Sequence, residues 1–101
     1  MLIHGGGPQS TQLAAALGVD TTFIEGRRVT DGASLDIATM VLNGQINTRV
    51  LAACRDLGVP AVGISGVDAG LIHAHRRPPV KLAGAEGGTV DYGFVGDIDS
   101  V

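Results

Sequence analysis

From Ser34 to Leu57, apolar side chains recur at Leu35, Ala38, Leu42, Ile46, Val50, Ala53 and Leu57, a helical period held for about six turns. No other stretch constrains the fold of this chain as strongly. Thr30, Asp31 and Ser34 all suit the start of such a helix, while Gly58 and Pro60 stop it. Met40 and Val41 beside Leu42 widen the apolar stripe. A stripe this wide serves either one broad core face or two surfaces, a sheet on one side and a second subunit on the other.

Shorter elements flank the long helix. Met1 to His4 reads as a strand cut short at its amino end, since strands commonly run about five or six residues. The turn Gly5, Gly6, Gly7 follows, and Pro8 suits the first turn of a helix whose apolar face, Leu13, Ala14 and Leu17, stops at Gly18. Thr21 to Glu25 predicts a β segment closed by Gly26, with RRVTDG (Arg27 to Gly32) as a loop or hairpin tip. Beyond the helix, VPAVGIS (Val59 to Ser65) has the continuous apolar character of a parallel strand buried on both faces, followed by a second glycine turn, SGVDAG. Leu71 to His75 alternates like a strand, Arg77 to Thr89 is a loop containing Pro and Gly, and Tyr92 to Val95 with Ile98 to Val101 suggests a hairpin. The order β, α, β, α, β, hairpin argues for an α/β sheet. Both ends of the chain read as cuts within elements.

One domain is expected from 101 residues, a length that buries roughly two thirds of the unfolded surface. With 45% hydrophobic and 17% charged residues the chain is globular in composition. Seven basic and ten acidic residues give a net charge of -3. That balance offers no electrostatic reason for nucleic acid or an anionic membrane as partner, and favours small molecules. Cys54 stands alone, so an internal disulfide is excluded, and its apolar helical surroundings suit a small buried residue. A reducing, cytoplasmic location is expected, because neither a spanning segment of about 18 to 20 apolar residues nor a signal peptide is visible.

The glycine run HGGGPQS (His4 to Ser10) admits four readings. The amides of Gly5, Gly6 and Gly7, beside the positive end of a helix, suit a phosphoryl group. A Walker loop is excluded, because Gln9, Ser10 and Thr11 stand where its lysine belongs. Gly5 and Gly7 also fill two slots of a dinucleotide fingerprint, with Ser10 in the third and Glu25 as ribose acceptor. An HGGG run forms the oxyanion loop of lipases, but GISGVDAG puts Val67 where a nucleophile elbow at Ser65 needs glycine. The fourth reading is glycines that merely turn the chain. His4 is expected to fix that turn by a hydrogen bond rather than to act as a base. His73 and His75 share a strand face, yet third and fourth ligands for zinc are lacking, so no metal site is expected.

Taken together, HGGGPQ, FIEGRRVTD, MVLNGQIN, AVGISGVDAGLIHA and DYGFVGDI resemble, in order and spacing, the amino acid kinase family, and within it the branch that phosphorylates N-acetylglutamate. The resemblance covers nearly the whole chain. It implies part of a three-layer αβα sandwich, a mainly parallel sheet plus hairpins, with residues 1–101 forming the acetylamino-acid-binding lobe and the nucleotide-binding lobe absent. It also implies transfer of the γ-phosphoryl group of ATP, with Mg2+, to the side-chain carboxylate of N-acetyl-L-glutamate in arginine biosynthesis. Gly6 and Gly7 are then expected to contact substrate and phosphoryl group, Gly5 to shape the turn, and Arg28 to fork a substrate carboxylate. The family's catalytic lysines match no position here, since Lys81 is the only lysine and sits in a predicted loop; the fragment alone is not expected to turn over. A homodimer or higher homo-oligomer through the Ser34 to Leu57 helix is implied as well. Val67 in S-G-V-D is also similar to carrier-protein-linked aminoadipate kinases, and a non-catalytic small-molecule-binding or self-associating domain is the reading from another class.

Overall fold

The computed structural model describes residues 1–82 and 88–101. Helix α1 (Gly7–Ala16) is followed by a hairpin of β1 (Thr22–Ile24) and β2 (Arg27–Val29). Its two-residue tip has both central residues at positive φ, Glu25 at 50° and Gly26 at 74°. This is the geometry that matches the twist of the flanking strands. RRVTDG is therefore partly strand: the tip lies one step earlier, and Arg27–Val29 forms the second arm.

The long helix forms as the period predicts, but in three pieces: α2 (Gly32–Thr39), a π-helical segment (Met40–Ile46) and α3 (Asn47–Asp56). The junction residues Thr39, Met40, Ile46 and Asn47 all keep right-handed helical dihedrals, so the rod runs on without a break. Asp31 caps it, its carboxylate accepting from the Ser34 amide at 2.8 Å. That backbone bond, followed by the Ser34 hydroxyl, holds the Asp31 carboxyl below the ordinary value. The two stops predicted at Gly18 and Gly58 share one mechanism. Val19 donates to the Ala14 carbonyl and Gly18 to Ala15; Val59 donates to Cys54 and Gly58 to Arg55. Each glycine takes a left-handed φ near 70° at the position where this six-to-one, five-to-two closure needs it.

The core lies where α1 meets the rod: Ala14, Ile37 and Val41 are buried, with Leu13, Val19 and Ile46 packed around them. It is small. The radius of gyration is 16.1 Å, against roughly 13 Å for a compact domain of about 100 residues.

The strands form three two-stranded antiparallel ladders among the described residues: β1 with β2, β3 (His73–Arg76) with β6 (Gly96–Ser100), and β4 (Val80–Lys81) with β5 (Thr89–Val90). One isolated parallel bridge, Thr30 to Gly93, is the only parallel pairing among them. The mixture of helices and strands agrees with the α/β class, whereas the described residues do not include the expected mainly parallel sheet. Met1 to His4 and Val59 to Ser65 carry no ladder, and Ile3, Val62 and Ile64 are 83%, 87% and 68% exposed. A strand meant for burial on both faces needs neighbours on both edges and layers over both faces. The described residues supply neither to these two segments.

The predicted hairpin between Tyr92–Val95 and Ile98–Val101 is also corrected. Gly96–Ser100 pairs with β3 instead, and Tyr92–Phe94 meets Thr30 through Thr30 N to Tyr92 O at 2.8 Å and Phe94 N to Thr30 O at 2.7 Å. The chain turns early because the Asp91 carboxylate accepts from the Gly93 amide at 2.8 Å, with Gly93 at φ 79°. Arg77 then donates to Asp97 at 2.5 and 2.9 Å, fixing β6 against the end of β3.

Candidate functional site

Gly6 is the residue before the first turn of α1, and Pro8 lies within that turn, where its missing N–H costs nothing. No side chain caps this end. Among the described residues, no acceptor takes a hydrogen bond from the amides of Gly5, Gly6 or Gly7. Three donors at the positive end of a helix are thus left for an anion or for water. His4 Nδ1 lies 3.3 Å from the Gly5 carbonyl, close to the expected turn-fixing bond.

The π segment supports this loop from below. A Cβ placed on Gly6 would stand 2.6 Å from Ile46 Cδ1, 2.8 Å from Leu42 Cδ2 and 3.3 Å from Val41 Cγ1. Only glycine lets the loop backbone lie so close to these side chains. A Cβ on Gly5 or Gly7 would meet nothing within 4 Å, so those two positions face open space. Immediately after the π segment, Asn47 presses its side-chain amide against Gly63, leaving no room for a Cβ there. Of the motif V-x-x-G-x-x-N, Val41 is thus core and Asn47 pins the segment after the helix.

Arg28 reaches the same place from the hairpin. Its Nη2 donates to the Gly7 carbonyl at 3.2 Å and to Thr11 Oγ1 at 2.6 Å. The guanidinium carbon lies 4.9 Å from the centroid of the Phe23 ring, within cation–π range. Phe23 is the cross-strand partner of Arg28 in the β1–β2 register, which puts both side chains on one face. Of the residues expected from the sequence, Gly5, Gly6, Gly7 and Arg28 therefore come together. Thr11 and Phe23 were missed. Both were open to reading: Thr11 is four residues after Gly7 on α1, and a two-residue tip at Glu25 and Gly26 sets Phe23 opposite Arg28.

The remaining candidate residues lie apart in role. Asp68 accepts from the Ser65 amide at 2.6 Å and the Ser65 hydroxyl at 3.0 Å; the backbone bond leads in holding its carboxyl below the ordinary value. Ser65 thus serves a turn, and Val67 between them is 81% exposed. His75 Nδ1 sits 2.8 Å from Asp99 Oδ1, an exposed cross-strand pair. Lys81 lies on β4. No helix among the described residues is long and apolar enough to cross a membrane.

The model of the amino acid kinase family matches residues 1–101. The chain belongs to the amino acid kinase family. Its similarity to curated members of that family runs along its full length. It is 54% identical over 104 residues to the acetylglutamate kinase of Myxococcus xanthus, covering all of this chain and 34% of that protein. To the acetylglutamate kinases of Parabacteroides distasonis and Frankia alni it is 42% and 48% identical over 101 residues, covering 36% and 28% of those proteins. The chain spans about a third of the length of the curated relatives it matches.

Proposed function

We propose that this chain is the acetylamino-acid-binding part of an acetylglutamate kinase, in which Gly5, Gly6, Gly7 and Arg28 gather the two anions that must meet. The observation that carries the reading is the convergence of the Arg28 guanidinium, 3.2 Å from the Gly7 carbonyl, on a helix start whose glycine amides are bare. Similarity along the whole of this chain to proteins named acetylglutamate kinase supports the choice of substrate.

ATP with Mg2+ supplies the phosphoryl group when bound. The bare amides fit the oxygens of a transferring phosphoryl group, whereas the described residues assemble no group of three or more His, Cys, Asp or Glu fitted to a metal ion, so no step is assigned to Mg2+ on this chain. In phosphoryl transfer the protein acts chiefly by positioning and by stabilising charge already on the oxygens. Backbone donors that need not reorganise suit that task. Arg28 orients the acetylamino acid through a carboxylate, and no base is needed, because the attacking side-chain carboxylate is already ionised.

Several wider features follow from the same reading. In the longer kinase, the apolar segments at Met1–His4 and Val59–Ser65 join a mainly parallel sheet within an αβα sandwich, and residues 1–101 form its substrate lobe. The nucleotide lobe and catalytic lysines belong to the remainder, the product is an acyl phosphate for arginine biosynthesis, and the setting is cytoplasmic. A homodimer through the long helix is supported by its divided stripe: Val41 points into the core while Met40 is 55% exposed. A second reading, an aminoadipate-type kinase, rests on exposed Val67 in the S-G-V-D turn.

Calorimetric titration with N-acetyl-L-glutamate tests the proposal. Removing a hydrogen-bonded charge costs about 1.5–3 kcal/mol, so Arg28→Ala should weaken binding roughly 10- to 150-fold. Equal binding by wild type and Arg28→Ala would reject the site, and preference for an aminoadipate derivative would favour the second reading.

A further inference from the structure

Arg28 is a cation held by neutral acceptors. Among the described residues no carboxylate pairs with it. Its Nη2 is shared between the Gly7 carbonyl and Thr11 Oγ1, and the Thr11 hydroxyl itself donates to the Gly7 carbonyl at 3.1 Å. The Thr11 proton is therefore spent, and Oγ1 meets Arg28 with lone pairs alone. The guanidinium carbon lies over the Phe23 ring, 4.9 Å from its centroid. Both ways in which an arginine forks a carboxylate, through Nη1 with Nη2 or through Nε with Nη2, use an Nη2 proton. As the structure stands Nη2 already serves two neighbouring acceptors, so a fork through it competes with them, and the longer bond is the one to yield. The bond to the Gly7 carbonyl, at 3.2 Å, is much the longer of the two; that to Thr11, at 2.6 Å, is the shorter. Exchange of a neutral carbonyl for a carboxylate oxygen is favoured by charge.

Resting on the acetylglutamate reading, we propose that Thr11 is a positioning residue for Arg28. It holds Nη2 in place while the Gly7 carbonyl gives way to a carboxylate oxygen of the acetylamino acid. The Gly7 carbonyl is a placeholder for that oxygen. Thr11 and Phe23 together fix the plane of a side chain that otherwise loses much rotamer freedom on binding.

Thr11→Val removes the acceptor with little change of shape, and Thr11→Ser restores it. A neutral hydrogen bond is worth about 1 kcal/mol, so Thr11→Val should weaken N-acetyl-L-glutamate binding about fivefold in calorimetric titration, with Thr11→Ser close to wild type. In the free chain, nitrogen-15 spectra should show slowed rotation and exchange of the Arg28 Nη protons in wild type and Thr11→Ser, lost in Thr11→Val. Should Thr11→Val not fold, Phe23→Leu replaces it, and its expected result is weaker binding with Arg28 Nη rotation freed. Wild-type affinity in Thr11→Val, or in Phe23→Leu where that variant stands in, while Arg28→Ala has lost binding, overturns this inference and leaves the acetylglutamate reading intact. Unchanged Arg28 Nη dynamics in the variant used overturns it as well. Absence of binding by the wild-type chain overturns both.

Discussion

Substituting Gly6 by alanine isolates the contact between glycine loop and π segment. Gly6 has φ −171°, outside the left-handed region that favours glycine, so the effect is argued from space. The added methyl would lie 2.6 Å from Ile46 Cδ1 and 2.8 Å from Leu42 Cδ2, whereas carbon atoms rest at about 3.5–4.0 Å. Each overlap is roughly 1 Å, and both fall on the ends of half-buried side chains, of which Ile46 also packs against the core at Val41. Overpacking of this kind costs about 1–3 kcal/mol, a large share of the roughly 5–15 kcal/mol that stabilises a domain. Gly7→Ala is the control: nothing lies within 4 Å of its Cβ, and alanine inside a helix gains about 0.5–1 kcal/mol over glycine. Urea unfolding followed by far-ultraviolet circular dichroism should therefore move the midpoint down for Gly6→Ala and leave it level or raised for Gly7→Ala. Equal midpoints for the two variants would refute the packing argument.

Gly63→Ala should destabilise the chain by about 1–3 kcal/mol through collision with Asn47, and Asn47→Ala should rescue it; additive losses in the double-mutant cycle would show that the two residues do not touch. The Asp31 carboxyl is held low by its cap, so its contribution is present above pH 3.8, the ordinary value, and fades as pH falls through the lower folded value. Asp31→Asn should keep the helix capped but flatten that acid limb, while Asp31→Ala should lower stability at neutral pH; a wild-type acid limb in Asp31→Asn would remove Asp31 from the account.

What could be read in advance was local. Gly18 and Gly58 end helices by hydrogen bonds within six residues, and the long helix needs only its own period, so both were visible in the order of residues. Gly5, Gly6, Gly7 and Arg28 were singled out by motif resemblance, and they meet at one helix start. The π segment was hidden, since Val41, Leu42 and Ile46 satisfy an ordinary helical period as readily as a wider turn. The Arg28 bond to Thr11 was missed because it joins residues 17 apart in the chain.

Strand partners were the larger failure. The apolar runs at Met1–His4 and Val59–Ser65 state that these segments want burial on both faces, but not which strand will lie beside them. A ladder hydrogen bond has its donor on one segment and its acceptor on another, so pairing is decided between distant parts of the chain. The sequence alone thus determined where the chain turns and where it coils into helix. Tertiary structure decided which strands pair, how close Gly6 lies to the π segment and where Arg28 rests, because each depends on atoms that the order of residues does not place side by side.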